Sequence, residues 1–187
     1  MFHGMKTLPI CGREIAERHE FAYTIVRPVF IYGPYNYALR EKWYIKNLVE
    51  RNPIPHPTDA TGRFQMVYVK DVARAILLCL IKAEADGQSY ILSAPQVLTY
   101  DLFLQSLSKA AGHQIKTVPV TIRQVLSTGI PLPFPLTAAE NELFDGHKIV
   151  RELGVSYENP QEAMKKTYQA FYTDFQRQGD ASLSPSD

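Results

Sequence analysis

Along the chain, apolar positions switch repeatedly between helical spacing and short continuous runs. Residues 13–19 are polar and helix-prone. Tyr23 to Ile31 is then rich in β-branched and aromatic residues and is stopped by Gly33-Pro34, which predicts a helix followed by a buried strand. From Arg40 to Arg51, Trp43, Asn47, Leu48 and Arg51 fall at helical spacing. Pro53, Pro55 and Pro57 cannot continue that helix and predict an extended, partly rigid loop. "QMVYV" predicts a short strand, and Asp71 a cap for a helix starting at Val72. "ARAILLCLIKAEA" reads as a helix apolar almost all round, hence largely buried, and "SYILSA" as the next strand.

Thr99 is positioned to cap a helix running to Ala111, with Gly112 free to take the positive φ of a helix end. "IKTVPV" predicts another strand. Residues 120–144 contain "GIPLPFPL" between two short helical patterns, so that 120–160 reads as a small subdomain or lid. Asp145 is placed to cap a short helix closed by Gly154. Asn159-Pro160-Gln161-Glu162 combines a cap, a proline at the first helical position and a capping-box acid, predicting a final helix to about Phe175. Residues 177–187 are polar and predict disorder. Strands separated by helices predict an α/β chain with a parallel sheet, and ligands in such sheets sit at the carboxyl ends of the strands.

Composition changes this picture little. With 187 residues, 45% hydrophobic, the chain can bury one substantial core. A net charge of +1 and a pI near 7.8 give no global attraction to nucleic acid, anionic lipid or acidic substrates. Cys11 and Cys79 stand far apart outside any Cys/His cluster, which argues against a disulfide framework and a zinc site and fits a cytoplasmic protein. No leader pattern and no run near the ~18 apolar residues of a membrane span is visible. The five histidines are scattered without metal-ligand spacing.

Single residues support two readings each. Arg63, after Gly62, is either a bidentate phosphate clamp or a solvated loop arginine. Tyr32 is either a stacking partner for a ligand or core packing, and Asp71 and Asp145 read as helix caps. "KWYIKNLVERN" interleaves bases and rings in a way that suits nucleic acid weakly and an amphipathic helix better.

Four ordered blocks carry a resemblance: "YTIVRPVFIYGPYN", "GRFQMVYVKDVARAI", "YILSA" with "LTYDLFLQSLSKAAG", and "DGHKIVRELGVSYENPQEAMKKTYQAFY". Over roughly residues 10 to 175 the chain resembles the carboxyl-terminal half of the NAD-dependent epimerase/dehydratase family, extended short-chain dehydrogenases acting on nucleotide sugars. The resemblance implies an incomplete doubly wound, Rossmann-like parallel sheet with a small C-terminal substrate-binding subdomain. It implies that Pro28 and Val29 flank the nicotinamide of NAD or NADP, and that Tyr32 and Arg63 face a nucleotide-sugar substrate.

Other family features are missing from the sequence. A dinucleotide site needs a glycine-rich turn for the diphosphate, and no two glycines are spaced to make one. No Tyr-x-x-x-Lys pair, the family's proton-transfer dyad, precedes the first strand; Phe2 and Lys6 have the offset without the hydroxyl. No catalytic residue is therefore assigned, turnover is not expected, and NAD is not expected to bind this chain alone. Truncation and a natural short, non-catalytic protein are the competing explanations. The strand from Tyr23 would lack a neighbour along one edge, which predicts self-association, partner binding or poor solubility. Phe30 stands where many members carry a substrate-holding asparagine. Similar gaps occur in the chloroplast stem-loop RNA-binding proteins, so the alternative is an RNA-associated or scaffold protein on the same fold.

Overall fold

The computed structural model describes residues 22–181. In chain order the elements are β1 (Thr24–Pro28), β2 (Phe30–Tyr32), α1 (Glu41–Val49), β3 (Ile54–Pro57), β4 (Phe64–Tyr68) and α2 (Val69–Ile81). They continue with β5 (Gln88–Leu92), β6 (Val97–Leu98), α3 (Tyr100–Ala111), β7 (Thr117–Val120), α4 (Ile122–Thr128), α5 (His147–Leu153) and α6 (Pro160–Ala181). This is the α/β architecture expected, with strands paired in three small groups.

The run predicted as one strand divides at Pro28-Val29. β1 lies parallel to β5, from Thr24 opposite Gln88 to Pro28 opposite Leu92, and the Val29 N–H donates to the Leu92 carbonyl at 3.1 Å. The chain then leaves β5, and β2 pairs in parallel with β4, Tyr32 opposite Tyr68. β6 adds antiparallel to β4. The segment "IPHP" corrects the expectation of a loop: it is β3, parallel to β7. Ile54 and Thr58 donate to the Lys116 and Val120 carbonyls, so alternate residues face β7. Pro55 and Pro57 fall on the outward positions, where a missing N–H costs nothing.

Two cores result. The larger gathers Tyr44, Ile45, Ile54, Phe64, Phe103, Leu107, Met164 and Phe171 between α1, α3, α6 and the β2–β4 pair. The smaller packs Val67, Val72, Ala75, Tyr90, Leu92, Ile149 and Leu153 between β1–β5 and the helices α2 and α5. Helix ends follow local chemistry. Thr99 Oγ1 accepts from the Leu102 N–H, Gly112 closes α3 at φ +76°, and Asn159 Oδ1 accepts from the Gln161 and Glu162 N–H groups.

Three expectations are corrected. α2 begins at Val69 with Tyr68 as its capping residue, so Asp71 lies inside the first turn rather than at the cap. α2 is also not largely buried: Ile76, Leu77, Leu80 and Ile81 are 43%, 60%, 76% and 76% exposed. A helix lying on one face of a sheet has only one face of its own to bury, whatever its composition. α6 continues to Ala181, so residues 177–181 are helical where disorder was expected. The first proline after the helix begins is Pro185, and one glycine costs an established helix only about 1 kcal/mol. The expected helix at 13–19 and the remainder of the tail, 182–187, lie outside the described residues.

Candidate functional site

The Tyr-Gly-Pro turn is held from beneath by a buried acid. Gly33 takes φ +146°, and a Cβ there would lie 2.4 Å from Val69 Cγ1, so the turn needs glycine to settle against the start of α2. Glu41, fully buried at the first turn of α1, accepts from the Gly33 N–H at 3.2 Å and from Asn36 Nδ2 at 2.9 Å through Oε1. Its Oε2 has no hydrogen-bond partner among the described residues. Burial raises the Glu41 pKa, outweighing those hydrogen bonds. The sequence reading missed this residue. The available signal was an acid at the start of a helix, just beyond a glycine-proline turn.

Tyr32, at the end of β2, is 6% exposed, with its ring 5.6 Å from that of Tyr68. Burial, then the charges of Asp71, Tyr68, Glu41 and Glu158, push its pKa far upward, so it stays a protonated donor. It lines a narrow cavity with Tyr68, Asp71, Gln96, Ser106 and Met164. The Tyr68 hydroxyl is buried with no partner among the described residues. Asp71 accepts from Arg74 and, at 3.1 Å, from the Glu158 N–H, tying α2 to the loop before α6. Desolvation raises its pKa.

A second cavity, of about 440 Å³, opens at the carboxyl end of β5, where an α/β sheet places its ligands. Its lining includes Gln65, Ser93, Phe144, His147, Val155 and Tyr157. The Gln65 amide fixes the floor, donating to the Ala94 carbonyl at 3.0 Å and accepting from the Phe144 N–H at 2.7 Å. Gly146 lets α5 approach: a Cβ there would meet the Ser93 carbonyl oxygen at 2.3 Å. Asp145 Oδ1 accepts from the His147 N–H at 2.8 Å and lies 2.7 Å from His147 Nδ1, which lowers the exposed carboxyl's pKa. Asp145 thus orders the start of α5 from one residue before the capping position, which Gly146 occupies.

The four residues singled out from the sequence are not drawn into one constellation. Pro28 is exposed at the end of β1, and Val29 is half-buried with its N–H occupied by Leu92. Arg63 sits exposed before β4, its N–H donating to Asn141 Oδ1 at 2.7 Å and its carbonyl accepting from Glu142. Tyr32 lies opposite Tyr68 at the other end of β4, five residues or ~16 Å along the strand from Arg63. Between them stands an aromatic cluster. Phe64 stacks on Phe134 at 4.1 Å, and Phe30 is edge-on to both at 6.1 and 5.6 Å. The Arg40 guanidinium lies 5.2 Å from the Phe30 ring centroid.

The described residues do not fit the diphosphate of a dinucleotide. Gly112, Gly129 and Gly154 close helices, while Gly33, Gly62 and Gly146 serve close approaches to other parts of the chain. After β2 the chain does run through a turn into a helix. The Glu41 carboxyl, however, occupies the amino end of that helix and takes the Gly33 N–H that a phosphate oxygen would need.

Comparison with known proteins bears out the family resemblance. The model of the NAD dependent epimerase/dehydratase family matches residues 10–93. The chloroplast stem-loop binding protein of 41 kDa b of Arabidopsis thaliana is 36% identical over 90 residues, covering 48% of this chain and 24% of that protein. An NAD(P)H azoreductase of Xenophilus azovorans is 29% identical over 141 residues, covering 71% and 47%. UDP-glucose 4-epimerase of Thermotoga maritima, solved with UDP-glucose, superposes with a TM-score of 0.68 at 20% identity, over 87% of this chain and 50% of that one. UDP-glucuronic acid 4-epimerase of Bacillus cereus, solved with UDP-glucuronic acid and NAD, gives 0.66 at 15% identity over the same shares, 87% and 50%. The fold is that of the Rossmann-like epimerases in part, and the chain spans half or less of the length of each of these proteins.

Proposed function

We propose that residues 22–181 are the substrate-side portion of an NAD(P)-linked nucleotide-sugar epimerase/dehydratase-like protein, and that this portion performs no turnover by itself. The observation that carries the reading is the superposition on one half of epimerases solved with UDP-sugars. The cleft at the carboxyl end of β5 and the exposed Arg63 guanidinium supply a cavity and an anion-binding group, while proton-transfer chemistry is unsupported. The sequence holds no Tyr-x-x-x-Lys, and the buried Tyr32 has its pKa displaced away from the neutral range a general base needs. The test is calorimetric titration of the purified chain with UDP-glucose and, separately, NAD. The expected result is UDP-glucose binding weakened about tenfold by Arg63→Ala, the loss of one bidentate phosphate contact, with no heat from NAD. Submillimolar NAD affinity would overturn the reading.

A second reading, an RNA-associated protein on this fold, is favoured by the identity with the stem-loop binding protein. Tyr35 and Tyr37, 83% and 93% exposed beside Arg40, offer rings on which bases could stack. Stem-loop RNA binding that weakens steeply with salt, with no UDP-glucose binding, would promote it.

A further inference from the structure

The cleft at the carboxyl end of β5 is selective in what it offers a ligand. At about 440 Å³ it falls in the roughly 300–1,000 Å³ range of small-molecule sites. Its walls are the Phe144 and Tyr157 rings, with Pro95, Val150 and Val155 between them. Phe144 and Val150 are 36% and 37% exposed, so a ligand with an apolar face gains by covering them. Among the described residues, no lysine or arginine lines the cleft. Lys148, on α5, is turned to β5, its Nζ donating to Gln88 Oε1 at 2.8 Å and lying 4.9 Å from the Tyr90 ring centroid. Arg74, which reaches the Ser156 carbonyl, is paired with Asp71. What stands beside the rim is the Asp145 carboxylate, bonded to His147.

The parts of a nucleotide sugar fare differently against this lining. A diphosphate needs cations or the free N–H groups of a helix start, and here Asp145 Oδ1 already accepts from the His147 N–H at the amino end of α5. A hexose brings several hydroxyls, each costly to bury unpaired, while the Gln65 amide is already engaged by the Ala94 carbonyl and the Phe144 N–H. A flat heterocycle suits the cleft, because its faces cover aromatic walls and only its edge needs polar partners. Such partners are present. The Asp145 carboxylate, an acceptor, fixes the His147 proton on Nδ1, so the neutral ring presents Nε2 as an acceptor. The Tyr157 hydroxyl, buried without a partner among the described residues and kept protonated by the burial that raises its pKa, is an unengaged donor at the wall. We propose that the cleft between Phe144 and Tyr157 binds the base of a nucleotide, an uncharged heteroaromatic ring, and excludes its phosphates. The choice of a nucleotide rests on the function proposed above; which part of it enters rests on the lining.

The isotope-labelled full chain is titrated with uridine and, in parallel, with methyl riboside, which lacks the base. Saturable shifts in the amide signals of Ser93, Phe144, His147 and Tyr157 are expected with uridine and not with methyl riboside, while those of Ser106 and Met164, at the narrow cavity, stay in place. Val150→Trp, which fills the cleft from α5, should weaken uridine binding at least about tenfold, and Phe144→Ala, which removes one wall, at least about fivefold. Circular dichroism confirms that each variant is folded. Equal shifts with methyl riboside, uridine shifts outside the cleft, or affinity unchanged in both variants would overturn the proposal. Uridine held in the cleft without any binding of UDP-glucose would keep the base site and refute the function proposed above. UDP-glucose binding that depends on Arg63 and leaves the cleft signals unmoved would refute the base site alone.

Discussion

Tyr100 is the residue that decides whether the proline-rich segment before Phe134 is a fixed wall or a moving lid. Its hydroxyl donates to the Phe134 carbonyl at 2.8 Å and accepts from the N–H of the same residue at 3.1 Å. Burial pushes the Tyr100 pKa far upward, so the donor is retained throughout the ordinary pH range. Tyr100→Phe leaves both main-chain groups of a 3% exposed residue without partners. Each buried orphan costs about 1–3 kcal/mol, less what an admitted water recovers, so the expected loss is about 2–4 kcal/mol. At a urea slope of about 2 kcal/mol/M for a chain of this size, the unfolding midpoint falls by about 1–2 M. Phe134→Ala removes the ring stacked on Phe64 and is expected to cost about 3–5 kcal/mol. Because ring and hydroxyl fix the same residue, the double variant should fall short of the summed losses by about 1 kcal/mol or more. An additive cycle, with Tyr100→Phe shifting the midpoint by less than about 0.3 M, would refute the wall and leave a lid that moves independently of the core.

Three further outcomes follow from the same structure. Gly146→Ala is expected to cost about 1–3 kcal/mol, because its Cβ forces α5 away from the Ser93 carbonyl; parental stability in denaturant would mean that the contact is not so close. Glu41→Gln keeps an acceptor for the Gly33 N–H and is expected to equal or exceed parental stability at pH 7, whereas Glu41→Ala, orphaning its donors, loses about 2–3 kcal/mol. The folded pKa of Glu41 is raised, so its contribution is complete below the unfolded value near 4.5 and declines as pH rises through the folded value; the advantage of Gln should therefore grow with pH, and equal losses for Gln and Ala would refute this. Burial raises the pKa of Tyr32, Tyr44 and Tyr100, and Tyr90, also bonded to Glu152, is pushed up to about 12. The unfolded chain ionises first, near pH 10, so stability should hold below that pH and fall above it; urea midpoints that stay flat from pH 8 to 11 would contradict this.

Elements whose ends are set by local chemistry were legible in the sequence. Thr99 and Gly112 bound α3, and Asn159-Pro160 opens α6, because capping needs only neighbours in the chain. β3 was not legible, since Pro55 and Pro57 signal a break until a partner strand fixes which N–H groups face it. The exposed face of α2 was missed for a related reason: composition says a side chain is apolar, but only the neighbouring layers say whether anything covers it. At the site, Tyr32 and Arg63 carried the right residue types for ligand contact. Their separation along β4 is set by a register between β2 and β4 that has no local signature. Glu41 escaped for the opposite reason, because an acid at a helix start ordinarily reads as solvated capping, and its burial comes from packing of the turn and α1 around it.

The distribution of ionisable groups separates what the two cavities can do. Around the narrow cavity beside Tyr32, burial raises the pKa of Tyr32, Tyr68 and Asp71. A tyrosine moved upward is a poorer base at neutral pH, the reverse of what proton abstraction requires. Asp71 is already engaged by Arg74 and the Glu158 N–H, and the Phe30, Phe64 and Phe134 rings occupy the space toward Arg63. That side of the fold is thus built for rigidity. The cleft at the end of β5 has the opposite character, with the exposed His147 at its rim beside an ordered Asp145 carboxylate, over a floor whose amide is already satisfied. On the function proposed above, recognition of a polar ligand is expected there, because unburied groups can exchange water for ligand without the desolvation penalty that the Tyr32 cavity imposes.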